Sequence, residues 1–135
     1  MSIRKLPLLL LLAAQMLGGC SISGLLPDWT SDDAAGPEPA GYRFFIANRL
    51  SGIIGNVDRT HLEISKPQRV DSTKGASWLV CLKRNDTALP LPRYYAVFFQ
   101  RGEIADSRLS VLIDHCELQT YAPFDWVADA NAPPH

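Results

Sequence analysis

The run Tyr-Tyr-Ala-Val-Phe-Phe-Gln at residues 94–100 constrains the fold of this chain more than any other segment. Aromatic and β-branched residues favour strands, and they make up most of this run. Successive side chains of a strand point to opposite faces, so both faces of this strand would be apolar. The sequence therefore predicts a central strand that other parts of the fold cover on both sides.

Neighbouring segments predict that an antiparallel sheet surrounds this strand. These segments are rich in apolar and aromatic residues or alternate polar with apolar residues, and turn-forming residues separate them. The predicted strands are residues 61–65, ended by Pro67, residues 77–83, and residues 103–105, which a hairpin turn at Arg101-Gly102 joins to the central strand.

A helical spacing of apolar residues follows this sheet. They recur at i, i+3, i+4 and i+7, and Asp106 or Ser107 could cap a helix there, although Val111 leaves a strand as the alternative. Residues 42–46 fit either a strand or the start of a helix. The sequence predicts an α+β fold, a small antiparallel sheet with one short helix carrying Leu109, Leu112, Ile113 and Cys116.

The amino terminus has the pattern of an export signal. Arg4 and Lys5 precede an apolar run over residues 6–14, and small residues follow before Cys20. The apolar run is shorter than the roughly 20 residues that a membrane-spanning helix needs. The pattern therefore predicts export of the chain.

Leu17-Gly18-Gly19-Cys20 resembles the lipobox of bacterial lipoproteins. The resemblance implies that residues 1–19 are a signal peptide, and that Cys20 becomes an amino terminus carrying diacylglycerol and an N-acyl chain. Ser21, where an aspartate would favour the inner membrane, implies an outer-membrane location facing the periplasm. The periplasmic face of the inner membrane and the cell surface are alternatives, as is an ordinary signal peptide with an incidental cysteine.

Composition divides the rest of the chain into three parts. Proline and glycine are dense in residues 20–41, which predicts an acylated tether, although its apolar side chains could dip into the membrane interface. Residues 42–127 form the predicted globular domain. Residues 128–135, rich in Ala, Asp, Asn and Pro, form a predicted disordered tail.

Cys81 and Cys116 remain as an even pair once Cys20 carries lipid. Disulfides persist in the compartments that exported chains reach, so the pair predicts a structural disulfide. Free buried thiols and a reactive pair are the alternatives, but the chain has no Cys-x-x-Cys motif.

No catalytic or metal-binding motif accompanies His61, His115 or His135. We therefore predict no enzyme activity, no metal and no cofactor beyond the lipid on Cys20. Removal of Arg4 and Lys5 with the signal leaves a mildly acidic chain, which argues against nucleic acid as a partner.

The aromatic residues near the end of the domain are Tyr121, Phe124 and Trp126. They are a candidate partner contact, with core packing as the alternative explanation. The domain resembles the small lipoproteins of Gram-negative bacteria. This resemblance implies a membrane-anchored, non-catalytic interaction or structural module that contacts envelope proteins. The alternative is an inhibitor or ligand-binding lipoprotein of the periplasm.

Overall fold

The computed structural model describes residues 34–72, 74–132 and 134. Cys20, the signal segment and residues 21–33 of the predicted tether lie outside the described residues. Two helices and six strands follow one another in the order α1 Tyr42–Ile54, β1 Leu62–Ser65, β2 Gln68–Ser72, β3 Gly75–Arg84, β4 Arg93–Gln100, β5 Glu103–Leu109, β6 Tyr121–Pro123 and α2 Trp126–Asn131.

The strands form one antiparallel sheet in the order β5-β4-β3-β1-β6, and β2 also pairs with β3. Strand β4 is interior to the sheet, and its residues 95–99 are all buried. The predicted α+β class is confirmed, as is the prediction of a central strand covered on both faces. The hairpin turn at Arg101-Gly102 is also confirmed, since it joins β4 to β5 with positive φ at both residues.

Helices cover one face of the sheet, which we call the helical face. Helix α1 begins after Gly41 and ends before Gly55, and it buries one side against the sheet. The large core here joins helix and strand residues, among them Ile46, Leu50, Ile64, Val80, Leu82, Val97 and Phe99. Of the two alternatives for residues 42–46, the start of a helix is therefore correct.

The opposite face is covered by residues 110–119, which contain two short 3-10 turns, Leu112–Asp114 and Cys116–Leu118. We call these residues the stapled segment and the face beneath them the stapled face. A disulfide between Cys81 of β3 and Cys116 fixes the segment to the sheet, with a Cα–Cα distance of 5.6 Å. The predicted disulfide is confirmed, and it lies in a second, smaller core with Leu79, Ala96 and Phe98.

The predicted helix near residues 109–116 is wrong. Strand β5 continues to Leu109, and the segment then turns twice instead of forming α-helix. His115 has a left-handed backbone, with φ of 53°, which interrupts helical geometry. Leu112 and Ile113 consequently point to solvent and not into a core.

The predicted disorder of residues 128–135 is also wrong for residues 128–131, because α2 covers residues 126–131. The Asp125 carboxylate accepts hydrogen bonds from the backbone N–H groups of Val127 and Ala128, which caps the helix. Arg43 of α1 binds Asp129 through Nε and Nη2, at 3.0 and 2.8 Å. Side chains distant in sequence therefore order this segment.

The last residues of the predicted tether belong to the fold. Ala35 is fully buried, and its carbonyl accepts a hydrogen bond from the Arg101 N–H at 2.9 Å. Trp78 Nε1 donates to the Gly36 carbonyl at 3.1 Å. Gly36 has φ of 64°, and a Cβ there would lie 3.0 Å from Arg101 Cα, so a larger residue would be strained at this contact. The domain therefore begins before residue 42.

Candidate functional site: an exposed apolar patch

Four exposed apolar side chains lie within the stapled segment. Leu112, Ile113 and Leu118 are 84%, 77% and 75% exposed, and Val111 is 50% exposed. We call these four residues the apolar patch. Single exposed apolar residues are ordinary on protein surfaces, whereas several on one short segment are typical of an interaction site.

An ion pair holds the first half of this segment in place. Arg108 of β5 binds the Asp114 carboxylate through both terminal nitrogens, at 2.7 and 2.6 Å, and Asp114 is only 8% exposed. The same carboxylate accepts a hydrogen bond from the Val111 N–H at 2.8 Å. A bidentate ion pair fixes the orientation of the Asp114 carboxylate as well as its distance from Arg108. The backbone between Val111 and Asp114 is therefore held in a conformation that directs Leu112 and Ile113 outward.

The disulfide and Tyr121 hold the second half. The Tyr121 hydroxyl of β6 donates to the carbonyl of Cys116 at 2.5 Å. Burial raises the pKa of Tyr121, so the phenol keeps the proton that this hydrogen bond requires. Cys116, which precedes Leu118 by two residues, is therefore fixed through both its side chain and its backbone.

This arrangement keeps apolar surface in water. Full burial of one Leu or Ile side chain stabilises a fold by roughly 1.5–3 kcal/mol. Leu112, Ile113 and Leu118 contribute little of this stabilisation to the domain, because they stay mostly exposed. A partner that covered the three side chains would gain this free energy on binding. Because the backbone is already held, little additional ordering would oppose the gain.

An open groove of about 610 Å³ adjoins the patch on the stapled face. Val70, Leu79 and Phe98 of three adjacent strands line it on the sheet side, and Ile113 and Leu118 line it on the side of the patch. Polar side chains, among them Gln68, Asp71 and Gln119, also line the groove. Patch and groove therefore adjoin as a mixed surface of the kind that takes a segment of a partner or a small ligand.

The aromatic residues predicted as a partner contact lie elsewhere. Phe124 is 5% exposed in the core of the helical face, beneath the Arg43 guanidinium, so it is not part of any surface. Trp126 is half-buried under Arg59, and Tyr121 packs against Tyr94. The three residues do not form an exposed patch, because β6 and α2 carry them into or beside the core.

The patch itself was missed from the sequence. Its apolar residues are visible there, but their spacing suggested a helix with a buried face. Asp114 and His115 gave no contrary signal, because in such a helix they would lie off the apolar face, where polar residues are ordinary.

Other site chemistry is limited within the part of the chain that the structure describes. No group of three or more His, Cys, Asp or Glu side chains there could hold a metal ion. His115 lies 4.0 Å from Glu117, and both side chains are exposed. No helix among the same residues is long and apolar enough to cross a membrane.

Comparisons of the chain with protein families, with curated proteins and with solved structures found no match.

Proposed function

We propose that this chain is a lipid-anchored protein of the bacterial envelope that acts as a non-catalytic interaction module. The observation that carries the proposal is the apolar patch, whose Leu112 is 84% exposed although an ion pair and a disulfide order its backbone. A segment without a function would bury such side chains or replace them with polar ones. The lipobox sequence supports the anchor, with the outer membrane facing the periplasm as the proposed location.

The direction of the patch supports a protein partner over the anchoring membrane. The chain enters the domain at Ala35 and Gly36, where it contacts Trp78, a residue of the helical face. The apolar patch lies on the stapled face, on the other side of the sheet. The described chain begins on the helical face, and a patch on the opposite face is compatible with contact to proteins of the periplasm.

The groove supports the second candidate, an inhibitor or ligand-binding lipoprotein. Its volume of about 610 Å³ is in the range of small-molecule sites, and three apolar side chains lie among the polar ones on its sheet side. A ligand there would contact Val70, Leu79 and Phe98 beneath the patch. The two candidates share one surface and differ in the size of the partner.

A photo-cross-linking experiment tests the patch. A photoreactive residue in place of Ile113 should yield a discrete protein adduct in intact cells, because Ile113 would lie in the interface. Leu91 is the matched control, since it is 74% exposed but lies in the loop between β3 and β4. Adding Leu112→Asp and Leu118→Asp should remove the adduct at position 113. If the photoreactive residue gave the same protein adducts at position 91 as at position 113, cross-linking would not be specific to the patch, and the proposal would be contradicted.

Replacing Cys20 tests the anchor separately. In Cys20→Ser the thiol that would receive diacylglycerol is gone, so we expect the precursor to accumulate uncut. A Ser21→Ala variant should be processed and fractionate like the parent chain. Normal processing of Cys20→Ser, with unchanged membrane fractionation, would refute the lipid anchor and leave the patch proposal to be judged on cross-linking alone.

A further inference from the structure

Strand β2 lies at an edge of the described sheet. One edge of β2 pairs with β3 from Gln68 to Ser72. On the other edge the neighbouring strand would be β6, but β6 pairs with β1 and its pairing ends where Tyr121 lies opposite Ser65, before β2 begins. Among residues 34–72, 74–132 and 134, no strand pairs with the outer edge of β2. Pro67 lies just before the strand and none of the five strand residues is proline, so each keeps its backbone N–H. Such an edge is a template for a further strand.

The five residues of β2 are chemically symmetric about their centre. The order is polar Gln68, cationic Arg69, apolar Val70, anionic Asp71 and polar Ser72. If two copies of β2 pair antiparallel about a two-fold axis at Val70, Arg69 of each copy lies opposite Asp71 of the other. Opposite charges directly across an antiparallel pair are stabilising. A shift of one residue would lose both of these pairs.

We infer that β2 is the seam of a homodimer in which two copies of this chain join their sheets edge to edge. The contact is isologous, because each copy offers the same strand to the other. Gln68, Val70 and Ser72 lie on the stapled face, opposite Leu79, Ser77 and Gly75 of β3. The seam therefore brings the two grooves side by side on one face of the joined sheet.

The geometry is also compatible with two anchors in one bilayer. A two-fold axis perpendicular to a continuous sheet keeps both helical faces on the same side. The entry points at Ala35 and Gly36, which lie against Trp78 of the helical face, then also lie on that side. The seam goes beyond the proposed function, and it requires neither the lipid nor the patch.

Disulfide trapping at the axis tests the seam. Residues directly opposite in an antiparallel pair have Cα atoms about 4.5–5.5 Å apart, which is within disulfide range. Full-length protein carrying Val70→Cys, purified and oxidised with copper phenanthroline at low concentration, should run as a dimer on non-reducing gels. Gln68→Cys is the matched control on the same strand, since the two copies of position 68 would be about 13 Å apart.

Trapping of Val70→Cys no greater than that of Gln68→Cys or Leu91→Cys would overturn the inference. Every variant also carries Cys20→Ser, which leaves the introduced cysteine as the one thiol outside the Cys81–Cys116 disulfide, so this outcome is independent of whether the chain is acylated. It is also independent of photo-cross-linking at Ile113, so failure of the seam and failure of the proposed function are distinguishable.

Charge reversal supplies a second test on the Val70→Cys background. Arg69→Asp would place like charges opposite each other twice, and we expect the rate of dimer trapping to fall roughly tenfold. The combined Arg69→Asp and Asp71→Arg variant restores opposite charges and should recover the parent rate. Arg69 also contacts the ring of Trp78, at 5.8 Å, and the combined variant does not restore that contact. Recovery of the parent rate would therefore come from the restored charge pairs and not from Trp78, and a combined variant as slow as the single one would count against the pairing of Arg69 with Asp71.

Discussion

Replacing Cys81 and Cys116 together by alanine is expected to lower the free energy of unfolding by about 3–4 kcal/mol. The disulfide closes a loop of 35 residues, and cutting it frees the unfolded chain. Both cysteines are fully buried on the stapled face, so the lost sulfur atoms add to the cost. This is a large share of the roughly 5–15 kcal/mol that stabilises a small domain.

Urea denaturation of the oxidised parent and the double alanine variant measures this difference. The reduced parent is the matched control and should unfold close to the variant. Hydrogen exchange should also quicken at residues 110–119 in the variant, since the segment then depends on the ion pair of Arg108 with Asp114 and on Tyr121. Equal urea midpoints for the oxidised parent and the variant would show that the disulfide does not stabilise the fold.

Leu50→Ala is expected to cost about 2–5 kcal/mol, because the side chain of Leu50 is 1% exposed where α1 packs on the sheet. The same substitution at Leu112 should change stability by no more than about 0.5 kcal/mol, because Leu112 is 84% exposed. The two variants remove the same atoms, so their difference measures burial alone.

Thermal or urea unfolding of both variants provides the comparison. A large loss for Leu112→Ala would place that side chain in a core, as the helical spacing of residues 109–116 suggested. A small loss for Leu50→Ala would mean that α1 does not pack as described. Either result would contradict the assignment of the two faces.

The strands were predictable because their signal is local. Residues 94–100 and 77–83 carry apolar side chains on both faces, and positive φ at Arg101 and Gly102 suits the hairpin between β4 and β5. Strand β2 gave no such signal. Its sequence is mostly polar. The strand lies at an edge of the sheet, where its side chains are exposed or only partly buried, so it needs no apolar pattern.

The segments that were mispredicted are ordered by contacts distant in sequence. Helix α2 has a loose composition, but Arg43 binds Asp129 from 86 residues away. The candidate site shows the same effect. Its spacing of apolar residues fits a helix, but the bond from Cys116 to Cys81 and the pairing of Asp114 with Arg108 impose turns instead. Local spacing cannot report such constraints.

The link between Cys81 and Cys116 also gives the apolar patch a dependence on redox environment. Where thiols stay reduced, residues 110–119 lose their covalent attachment to β3, and Leu112, Ile113 and Leu118 lose part of the framework that presents them. A newly made chain in a reducing cytosol would thus carry the apolar patch without this covalent support until oxidation forms the disulfide. Any assembly through this patch would then depend on the redox state of the compartment that the chain occupies.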